Sequence, residues 1–148
     1  MQARLLAENG GMRTFALVLE TGDEVMACLE SFANAEGLSA AQFSGIGAFS
    51  SAALAYFDWD KKAYVKIPVD EQVEVASLNG DVALTPDGDR AIHIHAVLGR
   101  RDGTALAGHL VEGRARPTLE IVLTEPPTHL RKRHDPESGL TLIRPEQE

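Results

Sequence analysis

The stretch AIHIHAVLGRRDGTALAGHLVEG, residues 91–113, constrains the fold more than any other part of the chain. Two runs that alternate with period two flank Arg-Arg-Asp-Gly. Side chains along a strand point alternately to opposite faces, so His93 and His95 share one face while Ile92, Ile94 and Ala96 take the other. Asp-Gly between two such runs is a strong hairpin signal. One allowed form is a three-residue loop of Arg101, Asp102 and Gly103, a type I turn closed by a glycine in the left-handed region. Arg100 then pairs with Thr104, and His95 falls directly opposite His109. Opposed residues share a face, with Cβ atoms about 5 Å apart. This register gathers three of the chain's five histidines on one side of one hairpin. A loop one residue shorter or longer would turn His109 to the opposite face.

The remaining segments supply one helix and more strands. MRTFALVLETG reads as a strand in which Phe15, Leu17 and Leu19 alternate with Ala16 and Val18, so both faces are apolar and need cover. In TGDEVMACLESFANAEG, Thr21 followed by Glu24 is a capping-box pattern. Val25, Leu29, Phe32 and Ala33 then recur at helical spacing, and Gly37 is a natural stop. After Gly37 the period is two. AAQFSGIGAFSSAALAYFDW reads as one or two strands bent near the glycines. KAYVKIPV places Tyr64, Lys66 and Pro68 on one face and Val65, Ile67 and Val69 on the other. VEVASLNGDVAL is a long strand or a bent pair, with Asn79-Gly80 marking a turn or bulge. TPDGD is a turn, and PTLEIVLTE is a further strand. Pro126-Pro127 ends the regular part. The polar tail that follows carries Leu140, Leu142 and Ile143, which can dock it on the body. A helix followed by strands means an α+β fold with a single, mostly antiparallel β-sheet and one packed N-terminal helix. The chain reads as one domain over residues 1–148, with a core at about 12–125 and a docked tail at 126–148.

Composition narrows the function. The 148 residues suit one domain. No apolar run approaches the roughly 20 residues needed to cross a bilayer. The first residues lack the apolar region of a signal peptide. A single cysteine, Cys28, permits no internal disulfide. A cytoplasmic location is the simplest expectation. The net charge of −8 opposes non-specific nucleic-acid binding, which depends on Lys and Arg neutralising phosphates. Small-molecule or protein partners suit this balance better.

Three neutral imidazoles on one face suit Zn²⁺, and also Fe²⁺, Ni²⁺ or Cu²⁺. His93, His95 and His109 are therefore candidate metal ligands. Three protein ligands leave a fourth position open, as at catalytic zinc. Gly108 would let a ligand or a neighbouring backbone come close. Metal affinity should fall as pH drops below the ordinary histidine pKa near 6.5. The alternative is three hydrogen-bonded histidines on a polar face or at a subunit contact, without metal.

Other signals are weaker. GIGAFS, residues 45–50, is not a dinucleotide fingerprint, because Ser50 stands where the third glycine belongs and strand residues follow. Its glycines serve packing or a bend. Cys28 reads as a small core residue. Arg114 and Arg116 in RARP, and Arg131, Lys132 and Arg133 in RKRH, are the basic clusters; they are candidate DNA or small-anion contacts, or solvated surface. Glu120, between apolar neighbours in PTLEIVLTE, is a candidate general base or a carboxylate partner for a histidine. A salt bridge to Arg114 or Arg116 is the alternative.

In its helix start TGDEVMACLESFA, and in FSGIGAFSSAALAYFD, VEVASLNGDVAL, IHIHAVLGRRDGTALAGHLVEG and TLEIVLTE, the chain resembles the PPC domain, the plants and prokaryotes domain. The match runs from about Arg13 to about Leu142. The resemblance implies one antiparallel sheet with a packed helix, assembled as a homotrimer. In plants the domain follows AT hooks in nuclear DNA-binding proteins, and free-standing prokaryotic members are labelled candidate DNA-binding proteins by association. RARP lacks the Arg-Gly-Arg-Pro core of an AT hook. The fold also resembles, more distantly, that of acetolactate decarboxylase, which holds zinc through a His-x-His pair and a later histidine. His93, His95 and His109 match that order, although the spacing to the third differs. These features together imply a homotrimeric module with a DNA-associated or regulatory role and a three-histidine metal site. The alternative is a metal-dependent enzyme acting on a small oxo-acid-like anion.

Overall fold

The computed structural model describes residues 1–145; the end of the expected tail, residues 146–148, lies outside them. Among the described residues, nine strands and one helix follow in the order β1 (Gln2–Asn9), β2 (Met12–Glu20), α1 (Val25–Glu36), β3 (Ala40–Asp58), β4 (Ala63–Val69), β5 (Val73–Leu84), β6 (Arg90–Gly99), β7 (Ala105–Glu125), β8 (Lys132–His134) and β9 (Thr141–Ile143). The first seven form one sheet in the order β1-β2-β7-β6-β5-β3-β4, and every strand pairing in it is antiparallel. An extra pairing of β7 with β3 closes β3, β5, β6 and β7 into a ring.

The α1 helix forms where the apolar spacing predicts it, and its buried residues are Val25, Leu29, Phe32 and Ala33. Its start is one turn later than a Thr21 cap implies. Gly22 takes φ +94, and a hydrogen-bonded turn from Glu20 to Asp23 holds this segment outside the helix. Glu24 becomes the cap instead, accepting from the backbone N–H groups of Met26 and Ala27 at 3.2 and 2.8 Å. Thr21 donates its hydroxyl to the Pro117 carbonyl. At the other end Gly37 sits in the left-handed region, φ +66, and the Leu38 N–H returns to Ala33 O. This satisfies carbonyls that the last turn leaves open.

The helix covers β6 and β7. Beneath it lie Phe15, Leu17 and Leu19 of β2 and Leu119, Ile121 and Leu123 of β7, each almost fully buried. Phe32 meets Phe15 edge to face, with ring centroids 5.2 Å apart. The opposite face of β2, β3 and β7 is open, and there Ile46 and Val122 are 63% and 51% exposed. Among the described residues no helix is long and apolar enough to cross a membrane.

Three strand readings are refined. β1 is an added strand, joined to β2 through Gly10 and Gly11, both with positive φ, in a two-residue turn between Asn9 and Met12. TALAGHLVEG and PTLEIVLTE are one continuous strand, β7, of 21 residues. Asn79-Gly80 lies inside β5; the irregularity in its pairing with β6 falls between Val75 and Ser77. The glycines of GIGAFS serve packing. A Cβ at Gly47 would be driven into the Thr118 carbonyl oxygen and lie 2.8 Å from Leu119 Cα. The tail folds back as the β8–β9 hairpin, which meets β5 through a bridge between Leu84 and Arg131.

Candidate metal centre

The site is built by the loop between β6 and β7. The Arg100 N–H donates to Thr104 O at 2.8 Å, the Gly103 N–H donates to Arg100 O at 2.9 Å, and Gly103 has φ +84. Asp102 accepts from the Thr104 N–H at 3.0 Å and from its hydroxyl at 2.6 Å. This is the three-residue loop, and it pairs Gly99 with Ala105 and His95 with His109. Gly108 permits close approach by β3. A Cβ there would lie 2.8 Å from the Ala55 carbonyl oxygen, beside the position where Ala55 pairs with His109.

The three imidazoles converge. Each offers a nitrogen, and these atoms all lie within 4.8 Å of one another. Ring centroids are 5.0 Å apart for His93–His95, 5.2 Å for His93–His109 and 5.8 Å for His95–His109. Donors around a tetrahedral Zn²⁺ at about 2.0–2.1 Å lie roughly 3.3 Å apart, so modest side-chain rotation suffices to close on an ion. His109 Nδ1 is buried and has no hydrogen-bond partner among the described residues. A lone pair or N–H left in that position is costly unless something occupies it. Burial pushes His109 below its ordinary pKa, and repulsion from His93, His95 and Lys132 adds to this. His95 is lowered chiefly by desolvation and secondarily by His93, against an opposing pull from Asp81. Both are thus biased toward the neutral form that metals require.

The surroundings complete a cavity of about 380 Å³. Asp81 of β5 pairs with His93 across the ladder, and its Oδ2 lies 3.4 Å from His93 Nδ1. A carboxylate behind a ligating histidine fixes its ring and raises its basicity. Tyr64 of β4 stacks on His109 with centroids 4.8 Å apart. Lys132 of β8 reaches in from the tail, and its Nζ lies 3.7 Å from Asp81 Oδ1. Leu140, Thr141, Leu142 and Ile143 form the far wall.

The other candidates lie elsewhere. Glu120 is exposed on the open face of the sheet, where it pairs with Ile46 and Val18, eleven residues beyond His109 along β7. It accepts from the Thr118 hydroxyl at 3.5 Å. The carboxylate beside the histidines is Asp81. The stretch VEVASLNGDVAL carries two acidic residues, Glu74 and Asp81, and only the β5–β6 register sets Asp81 rather than Glu74 against His93. Arg114 is exposed near Glu112, at 3.7 Å, and Arg116 is also exposed. Arg131 and Arg133 are exposed at β8, whereas Lys132 between them is only 8% exposed and faces the cavity. Cys28 packs partly buried against the core, and burial raises its thiol pKa.

The family model for the Plants and Prokaryotes Conserved (PCC) domain matches residues 6–127. A plant- and prokaryote-conserved (PPC) protein of Pyrococcus horikoshii is 31% identical, with 96% of this chain and 100% of that chain covered and a TM-score of 0.84. A metal-containing protein of Archaeoglobus fulgidus is 30% identical over 98% of this chain and 99% of that one, at a TM-score of 0.83. A candidate DNA-binding protein of Bacteroides thetaiotaomicron is 25% identical over 93% and 94%, also at 0.83. A Staphylococcus aureus protein similar to alpha-acetolactate decarboxylase reaches a TM-score of 0.49 at 12% identity over 73% of this chain and 50% of that one, too slight a likeness to carry an argument. No curated protein matches the chain.

Proposed function

The chain belongs to the Plants and Prokaryotes Conserved domain family, and from that premise we propose that it is a homotrimeric module that holds one divalent transition metal, most simply zinc, through His93, His95 and His109. The observation that carries this reading is the convergence of three imidazole nitrogens within 4.8 Å, one ring having a buried nitrogen without a partner among the described residues. The Archaeoglobus fulgidus protein is described as metal-containing, which supports it. Trimer formation is supported by the open sheet face around Ile46 and Val122, which a single short helix leaves uncovered. The cellular role is DNA-associated or regulatory, in keeping with the Bacteroides thetaiotaomicron protein, and the place is the cytoplasm. With a net charge of −8, DNA contact would need Arg114, Arg116, Arg131 and Arg133 gathered across subunits.

The test is elemental analysis of protein never exposed to a nickel column, followed by a zinc titration of the metal-free form. One equivalent per chain, lost in His95→Ala with the fold retained, is the expected result. No binding by the intact protein overturns the proposal.

A second reading is favoured by the cavity beside the histidines. In it, the chain is a metal-dependent enzyme acting on a small oxo-acid-like anion. Glu120 is then a candidate for the catalytic carboxylate only if assembly carries it to another subunit's histidines.

A further inference from the structure

The cavity next to the histidines has two unlike sides. One is polar: His93, His109, Tyr64 and the pair Asp81 and Lys132. The other is the tail hairpin, with Leu140, Leu142 and Ile143, joined by Ile92. Lys132 is the unusual member. Its side chain is 9% exposed, and its ion-pair partner Asp81 Oδ1 stands 3.7 Å away, beyond hydrogen-bond length. That same oxygen is buried with no hydrogen-bond partner among the described residues, and the other oxygen of Asp81 faces His93. An ammonium whose side chain is mostly out of water gains from close anionic or polar contacts. Here one carboxylate is shared between two cationic or potentially cationic neighbours.

Charge counting indicates what is missing. A divalent ion on the three histidines, with Lys132 positive and Asp81 negative, leaves the site two positive charges in excess. That excess suits an anion. Its size follows from the cavity of about 380 Å³, near the lower end of the roughly 300–1,000 Å³ typical of ligand pockets. Its shape follows from the two sides, charged at one end and aliphatic at the other.

We infer that Lys132 is the anchor for the carboxylate of a small 2-oxo or 2-hydroxy acid, and that the β8–β9 hairpin is the wall that selects an aliphatic tail on that acid. The carboxylate and its neighbouring oxygen meet the ion and the ammonium, and the tail lies against Leu142 and Ile143. This inference rests on the three-histidine metal site and assigns that site its ligand class.

The experiment is calorimetric titration of zinc-loaded protein with 2-oxoisovalerate and with 3-methyl-2-butanone, the same aliphatic ketone without the carboxylate. Zinc affinity is measured first and separately, so failure of the metal site is recognised as such. The acid should bind at least tenfold tighter than the ketone. Lys132→Met, which keeps the stem and removes the charge, should weaken the acid at least tenfold while still holding zinc. Leu142→Glu, placed at a partly exposed position, provides the second arm if Lys132→Met does not fold. It should also weaken the acid at least tenfold with zinc retained. Equal binding of acid and ketone overturns the inference. So does undiminished acid binding in whichever of the two variants folds and holds zinc.

Discussion

His95 stands directly across the β6–β7 ladder from His109, and burial pushes both rings toward their neutral forms. A single three-residue loop produces this relationship. The two rings are therefore held as potential donors by backbone pairing before any ion arrives.

Removing a donor should be worse than removing its support. His109→Ala should lower zinc affinity by more than the roughly 10–100-fold usual for loss of a histidine's hydrogen-bonding partner, and Asp81→Asn should fall within that range. Competition against a chromophoric chelator measures both. An unchanged affinity in His109→Ala would exclude it as a ligand.

The pH response follows from the direction of the two shifts. Above about pH 6.5 both the folded and the unfolded chain hold neutral rings, and these histidines impose no pH dependence. Below that value the unfolded chain takes up protons that His109, half-buried, and His95, exposed at its edge but partly desolvated by its neighbours, resist. Stability of the metal-free protein should therefore decline as pH falls from about 6.5, levelling off once pH passes the lowered folded values. Zinc affinity should hold to lower pH than an ordinary histidine would allow. Urea titrations between pH 7.5 and 5 test the first expectation. His95→Gln/His109→Gln should flatten the slope.

Gly47→Ala should be among the most damaging single-methyl additions. The new Cβ meets the backbone of Thr118 and Leu119 rather than a side chain that can rotate away. Overpacking usually costs about 1–3 kcal/mol, and a rigid backbone obstacle puts this substitution at the upper end or beyond. Chemical denaturation gives the value, and a loss under 1 kcal/mol would contradict the packing argument.

If the open sheet face is a subunit contact, light scattering should give about three times the 15.9 kDa chain mass at micromolar concentration. Val122→Asp, which places a charge on that face, should shift the mass toward the monomer. A monomer mass for the unaltered protein would remove the trimer.

Generic duplex DNA should bind more weakly than the typical non-specific range of roughly 10⁻⁴ to 10⁻⁶ M at physiological salt, given the net charge of −8. Titration at two salt concentrations decides. Micromolar affinity with a steep salt slope would instead mean that basic side chains are gathered across subunits.

What could be read from the residues divides by distance along the chain. The helix was legible because Val25, Leu29, Phe32 and Ala33 mark one face; its start was not, because Gly22 and the Glu20–Asp23 turn override the Thr21 pattern. β1 was illegible because all eight of its residues are exposed, which leaves no alternation to detect. The histidine cluster was legible because its register depends on one local loop. Asp81 was not, because VEVASLNGDVAL could be one long strand or a bent pair and its register with β6 stayed open; Tyr64 and Lys132 were not, since each arrives from a strand whose position depends on distant pairing. Glu120 was singled out by its apolar neighbours, and that pattern says which face a residue takes but not how far along the strand it lies.

The strand ring also bears on the order in which the molecule can assemble. Closing it requires β3 to find β7, joining Gln42 to Thr124 and Ala55 to His109, residues more than a third of the chain apart. Such distant pairings make folding slow, because loop entropy is lost before the contacts compensate for it. The three histidines belong to one hairpin, whereas Tyr64 and the β8–β9 wall come from distant segments. A chain emerging in the presence of zinc therefore has its three imidazoles on one hairpin before the tail that walls the cavity is in place.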